Sequence, residues 1–266
     1  MFPMKDNRSY KWKSRRLHIL SDLIDLPTSP LIAIIGAGGK TTTMYTLASE
    51  LAHRGKRVIT TTTTQIFYPE PGETDQLIIA TETDDLPTAI KESWLRYRRV
   101  TVAESVLRAE KLGGLQPEQP YELLVKSDAD VVIVEADGAR HRMIKAPAEH
   151  EPVIPLQTNV ALLLVSAEAI NRPLTDSIAH RPELIAEITG IFMGDVLSPA
   201  VIARLITSEQ GALKHIPENA IAYLLITHAS MAQKAAIREL VHLIQCSLRI
   251  AGVLSSDKPG EWSINE

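Results

Sequence analysis

Lys40 sits between a small-residue cluster, Gly36-Ala37-Gly38-Gly39, and three hydroxyls, Thr41-Thr42-Thr43. A cation in that setting suits phosphate chemistry. Glycines let the backbone turn its N–H groups inward with no Cβ in the way. Lys40 can then reach the outer phosphates while the Thr41 hydroxyl takes a place on Mg²⁺. The apolar run Leu31–Ile35 before the loop predicts a strand, and the spacing of Met44, Leu47, Ala48 and Leu51 after it predicts a helix. The helix N-terminus adds its partial positive charge at the same place. The expected nucleotide contacts are therefore Gly36, Ala37, Gly38, Gly39, Lys40, Thr41 and Thr42, with Thr41 also a metal ligand. The loop is shorter than G-x-x-x-x-G-K-[ST], whose first glycine would fall on Ile34.

Two carboxylates follow a second apolar run, Val131-Val132-Ile133-Val134-Glu135-Ala136-Asp137-Gly138. Being two apart, they can face the same side of an extended backbone. Mg²⁺ wants hard oxygens and keeps several waters, so one carboxylate, Thr41 and phosphate oxygens suffice. Glu135 is assigned to the metal and Asp137 to orienting a nucleophile. Downstream, prolines fix a charged loop that holds Lys145 and His150. Lys145 is placed on charge developing in transfer, and His150 among possible substrate contacts. The run Thr60–Thr64 ends another strand, and Thr62 and Thr63 are candidate phosphate contacts. No zinc spacing and no Ser–His–Asp order stands out.

Positioning these groups takes an alternating chain. Strands are expected at Leu31–Ile35, Arg57–Thr63, Gln76–Ala80, Val100–Ala103, Val131–Glu135, Val160–Val165 and Ile221–Thr227. Helices are expected at Thr41–Arg54, Leu86–Arg96, Tyr121–Val125, Pro199–Ile206 and Met231–Ile250. Continuous apolar strands separated by helices predict an α/β fold, a mostly parallel sheet covered on both faces, of the P-loop NTPase kind. Ligands then bind beyond the carboxyl ends of the strands. Residues 1–16 form a basic segment expected to be flexible, and 17–266 one domain with a small sub-lobe around 166–220.

The chain has 266 residues, 45% of them hydrophobic, enough for a substantial core, and a net charge of −4 that points to neither nucleic acid nor an anionic membrane. Aromatics interleave with the basic residues of the first 16, but a solvated terminus is the reading there. No apolar run reaches the roughly 20 residues of a membrane span. One cysteine, Cys246, suits a reducing compartment, so a cytoplasmic location is expected.

Gly36–Thr43, Thr61-Thr62-Thr63-Thr64-Gln65-Ile66-Phe67-Tyr68-Pro69 and Val134-Glu135-Ala136-Asp137-Gly138-Ala139-Arg140 together resemble the YqeC family of selenium-dependent hydroxylase accessory proteins. Weaker matches are Lys145-Ala146-Pro147, Glu149-His150-Glu151-Pro152, His180-Arg181 and Met193-Gly194-Asp195. The resemblance implies a role in maturing a molybdenum hydroxylase, with that enzyme or its cofactor-maturation proteins as partners, and adds His180 and Arg181 to the possible substrate contacts. The short loop also looks like that of murein ligases, which leaves open an ATP-dependent small-molecule kinase or ligase. A nucleotide-gated binding module is the third reading. Thr227-His228-Ala229-Ser230 carries no acidic residue to read guanine, so the expected cofactors are ATP and Mg²⁺.

Overall fold

The computed structural model describes residues 18–108, 110–245, 250–258 and 260–265. The basic segment and Cys246 lie outside them. In chain order the first half holds α1 (Leu20–Leu23), β1 (Leu31–Gly36), α2 (Lys40–His53), β2 (Val58–Thr62), β3 (Gln65–Phe67), β4 (Gln76–Ile79), α3 (Leu86–Ser93), β5 (Arg99–Ala103), β6 (Val106–Arg108), β7 (Lys111–Gly113), α4 (Gln119–Lys126) and β8 (Val131–Glu135). The second half holds β9 (Ile144–Lys145), β10 (Val160–Ser166), β11 (Ala179–His180), α5 (Pro182–Thr189), α6 (Pro199–Thr207), β12 (Ile221–Thr227), α7 (Lys234–Ile244), β13 (Ile250–Lys258) and β14 (Glu261–Asn265).

Nine strands form one sheet in the order β14-β13-β12-β10-β1-β8-β2-β5-β4. Only the β13–β14 pair is antiparallel; the other pairs run parallel. The fold is thus the expected α/β architecture. Alternation along β1 explains why the strands read as unbroken apolar runs. Leu31, Ala33 and Ile35 enter one buried cluster, and Ile32 and Ile34 enter another on the opposite face. The first cluster also takes Ile90 of α3, Leu123 of α4, Ile202 of α6 and Leu240 of α7. The second takes Met44 and Leu47 of α2 with Leu20 and Trp262.

The expected strands are all present to within two residues, but several elements were not anticipated. The last helix stops at Ile244, and Ile250 opens β13 rather than closing that helix. Its buried Val253 and Leu254 pack on the sheet. Helix α5 begins at Pro182 after Arg181, and β3, β7 and β6 make a small antiparallel sheet beyond the end of β2. Between β10 and β12, Leu174, Ile178, Ile185 and Leu205 join the same buried cluster as β1. Among the described residues, no helix is long and apolar enough to cross a membrane.

Candidate functional site

Strand β1 lies between β8 and β10, where connections leave toward opposite edges of the sheet, and a crevice opens there beyond the carboxyl ends. Ile34 is in register with Glu135, and Gly36 with Leu164. The loop after β1 is therefore wedged between the ends of β8 and β10. Two glycines are required by that wedge. Gly36 has φ +92°, and a Cβ there would lie 2.2 Å from the Leu164 carbonyl oxygen. Gly38 has φ +86°, and a Cβ there would lie 2.7 Å from the Ser166 Cβ.

The loop divides its amides between two tasks. Gly36 N–H donates to Asp137 Oδ2 at 3.0 Å and Ala37 N–H to the Leu164 carbonyl at 2.9 Å, so these two shape the loop. Thr43 is the first residue of α2 to donate four back, to the Gly39 carbonyl at 2.9 Å. Among the described residues, the amides of Gly38, Gly39, Lys40, Thr41 and Thr42 have no protein acceptor. A helix start leaves its first N–H groups unpaired, which is what makes it an anion site.

Charged side chains converge beneath these amides. Lys40 Nζ donates to the Gly36 carbonyl at 2.8 Å and forms ion pairs with Asp137 Oδ1 at 3.2 Å and Glu135 Oε1 at 3.8 Å. The Thr41 hydroxyl donates to Glu135 Oε2 at 2.8 Å. A hydroxyl and a carboxylate side by side are the hard-oxygen pair Mg²⁺ accepts. Among the described residues, no group of three His, Cys, Asp or Glu could hold a metal ion. A cation here would draw its remaining ligands from phosphate and water. Burial pushes the Glu135 carboxyl above its usual range, against the pull of Lys40 and the Thr41 hydrogen bond.

Behind Asp137 stands a second layer of charge. Lys145 Nζ is 3.1 Å from Asp137 Oδ2 and donates to Glu151 Oε2 and the Gly138 carbonyl, both at 2.7 Å. Arg181 clamps Glu151 from its other side with two hydrogen bonds, at 2.7 and 2.9 Å. Burial alone would raise the Glu151 carboxyl, but the Arg181 and Lys145 contacts outweigh it and hold it down to about 2. His180, opposite Lys145 across the β9–β11 pair, is pushed down to about 4 by burial and then by the Arg181 and Lys145 cations.

Lys40, Thr41, Glu135, Asp137 and Lys145 are thus brought together, with Arg181 one step behind. Glu151 was missed as a site residue, although it stands in the charged loop after Lys145. The hydroxyls expected to face phosphate have their protons engaged elsewhere. Thr62 donates to the Glu135 carbonyl and Thr63 to the Val153 carbonyl, each at 2.7 Å, fastening the end of β2 to its neighbours. His150 is exposed. His141 lies with its ring 5.4 Å from that of Phe67.

On the other flank the Thr227 hydroxyl donates to the Gly38 carbonyl at 2.6 Å, and Ser166 Oγ lies 3.1 Å from His228 Nδ1. Neither contact was expected from the sequence.

Among solved structures the chain is similar to FtsY of the chloroplast of Physcomitrella patens, with 14% identity and a TM-score of 0.45, over 91% of this chain and 64% of that one. It is also similar to the signal recognition particle 54 kDa protein of Aeropyrum pernix K1 in complex with GDP, with 14% identity and a TM-score of 0.41, over 90% and 45%. The chain spans less than two thirds of the length of either. A protein of Escherichia coli (strain K12) named "Uncharacterized protein YqeC" is 30% identical over 216 residues, 81% of this chain and 82% of the relative. The family profile described as "YqeC protein" matches residues 32–183, which span both the loop and the carboxylate strand. This chain belongs to the YqeC family.

Proposed function

We propose that this chain binds Mg-ATP at the loop after β1 and hydrolyses it, water taking the terminal phosphoryl group and ADP leaving, as an accessory step in maturing a molybdenum hydroxylase. One observation carries the chemical half. Five loop amides have no protein acceptor among the described residues, and in the same loop and the strand beside it Lys40, Thr41, Glu135 and Asp137 are linked by successive contacts of 3.8 Å or less. In this reading Lys40 moves from Asp137 to phosphate oxygens, exchanging one anion for another. Thr41 and Glu135 would hold Mg²⁺, which supplies charge neutralisation on the phosphates. Asp137 orients the attacking oxygen. Lys145, with its protons directed to protein acceptors, acts as a positioning residue that holds Asp137 rather than as a direct phosphate contact.

The pathway half rests on family membership, and a cytoplasmic location goes with it. A host strain lacking this chain should lose molybdenum-hydroxylase activity, regained with the wild-type chain but not with Lys40→Ala. Full recovery with Lys40→Ala would overturn the nucleotide-dependent role. ATP is the expected nucleotide because Thr227–Ser230 offers no carboxylate. In competition, GTP displacing ATP at lower concentration would overturn that choice. The rival reading, a kinase or ligase with an anionic second substrate, has less support. Of Lys145, His150, His180 and Arg181, which would line its second-substrate pocket, both Lys145 and Arg181 are already paired to Glu151.

A further inference from the structure

A cavity of about 90 Å³, open to solvent, lies on the flank of the loop away from the carboxylates, room for one edge of a ring rather than for a whole ligand. It starts at Gly39 and Thr42, two of the residues whose amides have no protein acceptor, and runs between α2 and the ends of β12 and β13. Its walls include Thr46, Thr227, His228, Asp257 and Trp262. The geometry of the far wall is fixed by packing. Trp262 is 3% exposed, its backbone is paired with His18, and a Cβ on Gly260 would lie 3.6 Å from the Thr46 methyl.

Two polar groups in this wall have no partner among the described residues. The indole N–H of Trp262 is buried without an acceptor. A buried donor left unpaired is uncommon and is the kind of group a ligand acceptor satisfies. Asp257, exposed at the end of β13, makes no hydrogen bond or ion pair. An unpaired indole donor and a free carboxylate in one wall, beside threonine hydroxyls, His228 and Lys258, match the edge of an adenine ring, where an exocyclic amine sits beside a ring-nitrogen acceptor. A nucleoside attached to phosphates at Thr42 has this cavity as its neighbour.

We infer that the cavity is the base site of the nucleotide, and that Asp257 accepts a hydrogen bond from the exocyclic amine of the purine. This rests on the phosphate-loop reading above, which reads the phosphates and leaves the base unassigned. It also places a base-reading carboxylate on the strand next to β12 instead of in the segment Thr227–Ser230, so the choice of ATP then rests on Asp257 meeting one amine beside a ring acceptor, as adenine offers, and not the two adjacent donors of guanine.

Calorimetry on the full chain with Mg²⁺ and three probes tests it: ATP, purine riboside triphosphate, which lacks the amine, and inorganic tripolyphosphate. ATP should bind about tenfold or more tightly than purine riboside triphosphate, the worth of one charge-assisted hydrogen bond at a partly solvated site. Asp257→Ala should erase that difference and leave tripolyphosphate binding unchanged. ATP should also alter the Trp262 fluorescence, a change that tripolyphosphate does not produce and that Trp262→Phe removes. Equal binding of ATP and purine riboside triphosphate by the wild type, or Asp257→Ala with wild-type ATP affinity, would overturn the base site while leaving the loop reading intact. Failure of tripolyphosphate and both nucleotides to bind the wild type would overturn the loop reading and this inference together.

Discussion

The two flanks of the loop after β1 are built on opposite plans. Toward β8, five acidic and basic side chains (Lys40, Glu135, Asp137, Lys145 and Glu151) are nearly buried and contact one another in a chain. Toward β12 and β13 the contacts are a threonine, a serine and a histidine, and a cavity remains open. Buried charges are costly unless each is paired, so the β8 flank tolerates little change. The β12 flank buries no such chain of ions, so changes at its exposed positions should have little consequence for folding. The proposed chemistry falls where charge is buried and cross-paired, and the proposed recognition where the charged groups, Asp257 and Lys258, are exposed beside an open cavity.

Substitutions should separate the flanks. The largest effect is expected for Lys40→Ala, which removes the cation that meets the phosphates; calorimetry should find no Mg-ATP binding at concentrations that saturate the wild type. Wild-type affinity in that variant would dissolve the contrast at its centre. Next, Glu135→Gln should slow phosphoryl cleavage about 10²–10³-fold, the usual worth of one transition-state electrostatic contact. Steady-state kinetics beside a thermal melt would show whether the loss is in rate or in folding.

Acid stability sharpens the comparison further. The Glu151 carboxyl is held at about 2 instead of its usual 4.5. Its folded value is depressed, so its stabilisation is complete above about 4.5 and is lost as pH falls from there toward 2. In Glu151→Gln that dependence should vanish from denaturant melts taken across this window. His180, depressed to about 4 from 6.5, adds a loss of similar size between those values as pH falls. In His180→Asn the melts should be flat there. The smallest effect is expected on the open flank. Lys258→Ala, at an exposed position, should change stability by no more than about 0.5 kcal/mol.

What the sequence disclosed follows from how local each feature is. The loop, β1 and the start of α2 are contiguous, so strand, glycines, lysine and helix could be read as one signal. Glu135 and Asp137 could be read because an apolar run delivers them to a strand end, and a parallel sheet brings strand ends together. Glu151 depends on Arg181, 30 residues away, and Thr227 on Gly38, 189 residues away; no local pattern marks either pair. The hairpin β13–β14 was hidden because apolar residues continue at helical spacing from Leu240 past Ile244, where α7 ends. With it went Asp257. The threonine run misled in another way. Hydroxyls at a strand end look like ligands, whereas the hydroxyls of Thr61, Thr62 and Thr63 donate to carbonyls of neighbouring segments.

The most direct test of the central claim is a crystal structure with Mg²⁺ and a non-hydrolysable ATP analogue. The account predicts the metal about 2.0–2.1 Å from Thr41 Oγ1, with the Glu135 carboxylate bound to it or joined through one water. Lys40 should have turned from Asp137 onto the phosphates. A metal well beyond water-bridged reach of Glu135, with Lys40 still paired to Asp137, would contradict it.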